Sequence, residues 1–142
     1  MKTRILLMLV SLSTAGCAAQ ARSPEPVPVD RAECARCRML ISTEAGAGEI
    51  VTAHEDTRFY DDVGCLAADW KAHAREATAF VRVESGGWVD ARQAWFAHPE
   101  RARTAMASGL LAYATADAAK QADRGGRALG WDEVVADAGE RR

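Results

Sequence analysis

The stretch Thr57-Arg58-Phe59-Tyr60-Asp61-Asp62-Val63-Gly64-Cys65-Leu66-Ala67-Ala68-Asp69-Trp70 changes character at its middle. Thr57 to Asp61 reads as a short strand, whereas Val63, Leu66, Ala67 and Trp70 recur at the spacing of one helical face. Asp61 or Asp62 caps that helix, because a short carboxylate accepts hydrogen bonds from the free amides of the first turn. A strand running straight into a helix predicts a mixed domain of the α+β class.

Outward from this junction, Met39 to Ser42 and Glu49 to His54 are strand candidates separated by the turn residues Glu44 to Gly48. Thr78 to Val83 alternates as a strand, and Ser85, Gly86 and Gly87 form a turn before Trp88 and Val89. The second half runs in a similar order. Gln93 to Ala97 is apolar and aromatic, His98 and Pro99 break it, and Gly109 to Ala114 is a further strand candidate. Thr115 caps a helix through Asp123 that Gly125 and Gly126 stop. Arg127 to Leu129 reads as a last strand, and Trp131 to Ala136 as a short closing helix with Trp131 and Val135 facing inward. The expected architecture is two ββαβ units, about 31–84 and 85–142, packed as one compact domain.

The N-terminus carries a different signal. Lys2 and Arg4 precede an apolar run from Ile5 to Leu12 that is too short to span a bilayer, and Ser13 to Gly16 lead into Cys17. This pattern predicts a secretory signal over residues 1–16 and lipidation of Cys17 at a bacterial lipobox. Ala18, rather than Asp, resembles lipoproteins sent on to the outer membrane, so the expected location is the periplasmic face of that membrane. Residues 17–30, with Pro24, Pro26 and Pro28, read as an extended tether. With the signal removed, the 18 basic residues lose Lys2 and Arg4 while all 20 acidic residues remain, leaving a mildly acidic chain. No basic stripe points to nucleic acid, and no glycine-rich phosphate loop points to a nucleotide enzyme.

Sulfur carries the chemistry. Cys34, Cys37 and Met39 lie within one short run, and Met106 lies far downstream in a methionine-poor chain. Thiolate and thioether ligands select Cu(I), and a site of two or three sulfurs leaves positions open for handover. The expected site is Cu(I) on Cys37, Met39 and Met106, with Cys34 as auxiliary ligand or redox partner. Met39 would share a face with Cys37 on an extended strand, and Arg31, Arg36 and Arg38 would lower the Cys37 thiol pKa. Other readings stay open. The methionines are alternatively core fillers, and Cys34 with Cys37 alternatively a disulfide or a periplasmic thiol-disulfide redox pair. Cys65 reads as a small buried hydrophobe, and His54, at the end of a strand, as a further candidate for reaching the site. Zinc wants four ligands at recognisable spacing, and the sequence shows one C-x-x-C pair. An organomercurial-lyase-like enzyme would need an acid beside two cysteines, for which the Asp61, Asp62, Cys65 segment is the candidate.

The runs Cys34 to Met39, Phe59 to Cys65, Trp88 to Ala91 and Thr104 to Leu110 resemble NosL, the nitrous-oxide reductase accessory lipoprotein family. The resemblance implies a non-enzymatic, lipid-anchored copper chaperone built from two ββαβ units like those of organomercurial lyase. It also implies partners: nitrous-oxide reductase, whose copper sites it would help to fill, and a membrane ABC-type maturation complex. Two positions depart from the family pattern. Arg38 stands where Gly is usual, and Ala105 where Pro is usual before the methionine, so loop geometry at both ends of the site is altered.

Overall fold

The structure, a computed structural model, describes residues 22 to 140; the expected signal segment and Cys17 lie outside the described residues. These residues form three helices and two antiparallel sheets. Strands β1 (Gly48–Thr52), β2 (Arg58–Tyr60), β3 (Ala77–Arg82) and β4 (Trp88–Asp90) make a sheet of order β2-β1-β3-β4, with helix α1 (Val63–His73) between β2 and β3. Strands β5 (Trp95–Ala97) and β6 (Leu111–Tyr113) make the second sheet, followed by α2 (Ala116–Ala122) and α3 (Trp131–Glu140). The single parallel bridge Val83↔Ala112 joins the sheets.

The core follows from the apolar faces that these elements bury. Leu66 and Val63 of α1 are fully buried, as are Ile50 of β1, Val81 of β3 and Tyr60 of β2. Helix and sheet approach so closely that a Cβ on Gly48 would lie 2.6 Å from Leu66 Cδ2. A larger residue there would push α1 off the sheet. The second half attaches through aromatics: Trp131 of α3 lies edge-on to Trp70 of α1 at 6.1 Å and tilts over Phe96 of β5 at 5.6 Å.

Asp62 caps α1 and Thr115 caps α2, each side chain accepting from a first-turn amide as expected. Other expectations change. Residues 39–42 form no strand and contribute only the bridge between Leu40 and Glu33. Leu129 likewise pairs as a single bridge to Phe96 instead of a strand over 127–129. The boundary expected near residue 84 falls inside the β3–β4 hairpin, where Val81 pairs with Val89. Helix α3 is longer than expected, and Val134, one residue before Val135, is its second fully buried side chain.

The proline-rich segment lies against the first sheet over its described part. Val27 is buried, the Glu25 amide donates to Glu49 Oε1 at 2.9 Å, and the Thr57 hydroxyl donates to the Glu25 carboxylate. Glu49 itself, in the middle strand, is fully buried, and its Oε2 has no hydrogen-bond partner. Burial pushes its carboxyl up to about 7, with the Glu25 charge adding to the rise and the Glu25 amide opposing it. Because the folded pKa is raised, stability is full below the unfolded value and falls as pH rises toward the folded one. Glu49→Gln should therefore stabilise the fold by roughly 2–3 kcal/mol at about pH 8 and by little at about pH 4. Denaturant unfolding at both pH values measures the difference; equal effects at both would contradict a buried neutral acid.

Candidate metal centre

The Cys-x-x-Cys motif sits in a tight loop before β1. The Arg38 amide donates to the Cys34 carbonyl at 3.0 Å and the Cys34 amide to the Met39 carbonyl at 2.8 Å, closing the loop on itself. The Ala35 amide bonds the Phe59 carbonyl of β2 at 2.8 Å, which moors the loop to the sheet. Closure requires a left-handed residue, and Arg38 supplies it at φ 66. Glycine would adopt that conformation without the steric cost that a Cβ brings. Because the chain turns at Arg38, Cys37 and Met39 do not share a strand face as expected. Cys37 is half-buried, and Met39 is 49% exposed.

The second contributor is the start of α1. Asp62 is fully buried; its Oδ1 accepts from the Gly64 amide at 2.7 Å and its Oδ2 from the Met106 amide at 3.0 Å. Burial alone would raise its pKa, yet the Ser108 and Thr104 hydroxyls and the Met106 and Gly64 amides together hold it below the usual carboxylate range. The loop carrying Met106 therefore docks on the helix N-terminus. Gly64 lets it approach, since a Cβ there would lie 2.8 Å from Ser108 Cβ. Within that loop the Ala107 amide bonds the Thr104 carbonyl at 3.0 Å, placing Ala105 at the second position of a turn, where proline is favoured. Met106 is 47% exposed and lines one cavity with Cys65 and Arg36.

Between these two loops lies a cluster of donors. One ligand atom from each of Cys34, Cys37, Asp61 and Cys65 falls within 4.8 Å of every other. The three cysteines are free. Their protons are arranged in order. The Cys65 thiol donates to the Cys34 sulfur and burial opposes, while the amides of Cys37, Asp61 and Arg36 also point at that sulfur; the Cys34 thiol is held far below its usual range. The same contact, with burial, pushes Cys65 well above it. Burial pushes Cys37 up as well, its S–H donating to Asp61 Oδ2 at 3.5 Å. Asp61 is raised to about 6, chiefly by burial and then by Cys34.

This reverses part of the expectation. The activated thiol is Cys34, not Cys37, and backbone amides with a neighbouring S–H do the activating. Arg38 instead pairs with Glu33 at 2.7 Å on the surface. Cys65 and Asp61 join the cluster. The only sequence signal for them is four-residue spacing across a helix cap, which puts Asp61 just before the first turn and Cys65 within it. His54 sits exposed in the β1–β2 turn beside His73, at the opposite end of α1 from Cys65.

Two variants test the centre. Cys65→Ala should raise the Cys34 thiol pKa, followed by ultraviolet thiolate absorbance against pH, while Cys65→Ser, which keeps a donor, should leave it low. Arg38→Gly should stabilise the fold by about 0.5–1 kcal/mol in denaturant unfolding, because it relieves the left-handed backbone and loses only an exposed ion pair.

Comparison with known proteins shows the family and the fold. The NosL family model matches residues 26–138. No curated protein matches the chain significantly. The crystal structure of the copper chaperone NosL from Shewanella denitrificans has the same fold at a TM-score of 0.63 and 22% identity, with 80% of this chain and 94% of that chain covered. As the family model spans most of the sequence, from the docked proline-rich segment to α3, the chain belongs to the NosL family.

Proposed function

We propose that this chain is a Cu(I) carrier that supplies copper for maturation of nitrous-oxide reductase. The observation that carries the reading is the cluster of buried Cys34 and Cys65 with half-buried Cys37 and the Asp61 carboxylate, next to which half-exposed Met106 lines the cavity beside Cys65. Family membership and the copper chaperone of the same fold support it. Thiolate and thioether donors favour Cu(I) over harder ions.

The residues divide the work. Cys34, whose thiol the donors around it hold below its usual range, gives up its proton to the ion most readily. Cys37 is the second donor, and its proton has Asp61 at 3.5 Å to receive it. Met39 and Met106 complete the set as neutral ligands from the exposed side, where exchange with a partner takes place. No acid-base pair aimed at a substrate is needed for this task, and we read the protein as a carrier, not an enzyme. A thiol-disulfide role is less well supported, since the Cys-x-x-Cys motif lies in a loop and not at a helix start.

The wider setting extends the same reading. Lipidation at Cys17 would hold the domain at the periplasmic face of the outer membrane, with handover through a membrane ABC-type complex. The strand, strand, helix, strand order of β1, β2, α1 and β3, followed by β5, β6, α2 and the Leu129 bridge, supports a two-unit ββαβ ancestry like that of organomercurial lyase.

The reduced protein should bind Cu(I) stoichiometrically in an anaerobic competition titration against a chromophoric chelator. Cys34→Ser should weaken binding at least roughly tenfold, and Met106→Leu by less. Absence of tight binding in the wild type would overturn the carrier reading, and an unchanged affinity in Met106→Leu would remove that thioether from the site.

A further inference from the structure

The cavity beside Cys65 has a composition that the metal centre alone does not account for. It measures about 370 Å³, the size of small-molecule pockets. Leu110, Val134 and Ala138 contribute apolar surface, Cys65 and Met106 are the sulfur-bearing residues of the lining, and Arg36, an exposed residue, belongs to the same lining. Among the described residues Arg36 forms no ion pair, so its charge is available to a ligand. The carboxylate in the lining, Asp62, is already committed to the Gly64 and Met106 amides.

We propose that this cavity binds a small thiol bearing a carboxylate, which enters the copper site as an outside ligand. The inference rests on the Cu(I) reading and names the form in which the ion arrives or leaves. Such a molecule matches three features together: its sulfur is a soft donor beside Cys65 and Met106, its short carbon chain lies on the apolar surface, and its carboxylate pairs with Arg36. On coordination the thiol gives up its proton to solvent and binds as thiolate, and copper stays Cu(I) throughout. The exchange is then associative: the incoming sulfur bonds to copper before a protein sulfur lets go, so the ion is never bare.

The test uses the full chain, reduced and anaerobic. Cu(I) loading is first measured by chelator competition without added thiol. The loaded protein is then titrated calorimetrically with mercaptopropionate and, separately, with mercaptoethanol, a neutral thiol of similar size. Mercaptopropionate should bind about fivefold more tightly, and Arg36→Gln, a change on an exposed side chain, should erase that preference while Arg36→Lys keeps part of it. Equal affinity of the two thiols for the wild type, or a preference that survives in Arg36→Gln, overturns the proposal and leaves the carrier reading standing. Failure of Cu(I) to load in the first step overturns both.

Discussion

The buried carboxylate of Asp62 is the constraint on which the rest of the centre depends. A fully desolvated anion is tolerable only when donors surround it, and here the donors come from both halves of the chain. One oxygen caps the start of helix α1 and sets the position of Cys65 three residues later; the other takes the amide of Met106, forty-four residues away. A single charge thus starts a helix, fixes a thiol and anchors the loop that carries the thioether. Removing it would take from the Gly64 and Met106 amides their shared acceptor at the joint between the halves.

The sulfur cluster inherits its order from that joint. Cys34 comes from a loop moored to β2, Cys65 from α1, and neither would find the other without the strand-to-helix junction at residues 60–62 that brings both elements to one corner. Within the cluster, burial pushes every thiol toward its neutral form, so charge collects on the one sulfur that has several donors aimed at it. The methionines need no such support, because a thioether carries no charge. They are free to stand half-exposed, as Met39 and Met106 do.

Much of the fold could be read directly where chemistry is local. The caps at Asp62 and Thr115, the strands β1, β2 and β3 and the glycine turn before β4 each rest on a few adjacent residues. Readings failed where a long-range contact decided. Met39 to Ser42 has strand composition, yet the left-handed turn at Arg38 and pairing of Leu40 with Glu33 leave it a loop edge. Val135 and Val134 are both at plausible inward positions, and the packing of Trp131 against Trp70 and Phe96 selects Val134. Cys65 is indistinguishable from any buried small residue until the Cys34 loop is seen across from it. The departures from the family at Arg38 and Ala105 were, by contrast, well-placed clues, for both fall at turns whose geometry favours the residue that is missing.

The docked proline-rich segment sets a length scale for the whole protein. If the chain were lipid-attached at Cys17, as proposed, and undocked as far as Arg31, the domain would roam tens of ångströms from the membrane. With Glu25 bonded to Glu49 and Val27 buried against the first sheet, the five Cα steps from Cys17 to Arg22 can reach at most roughly 18 Å. Under lipid attachment at Cys17 the domain would travel with the bilayer surface, within about its own radius of the headgroups. Encounters with other membrane-bound proteins then become a search in two dimensions, where tethering raises the effective concentration of partners without any added contact.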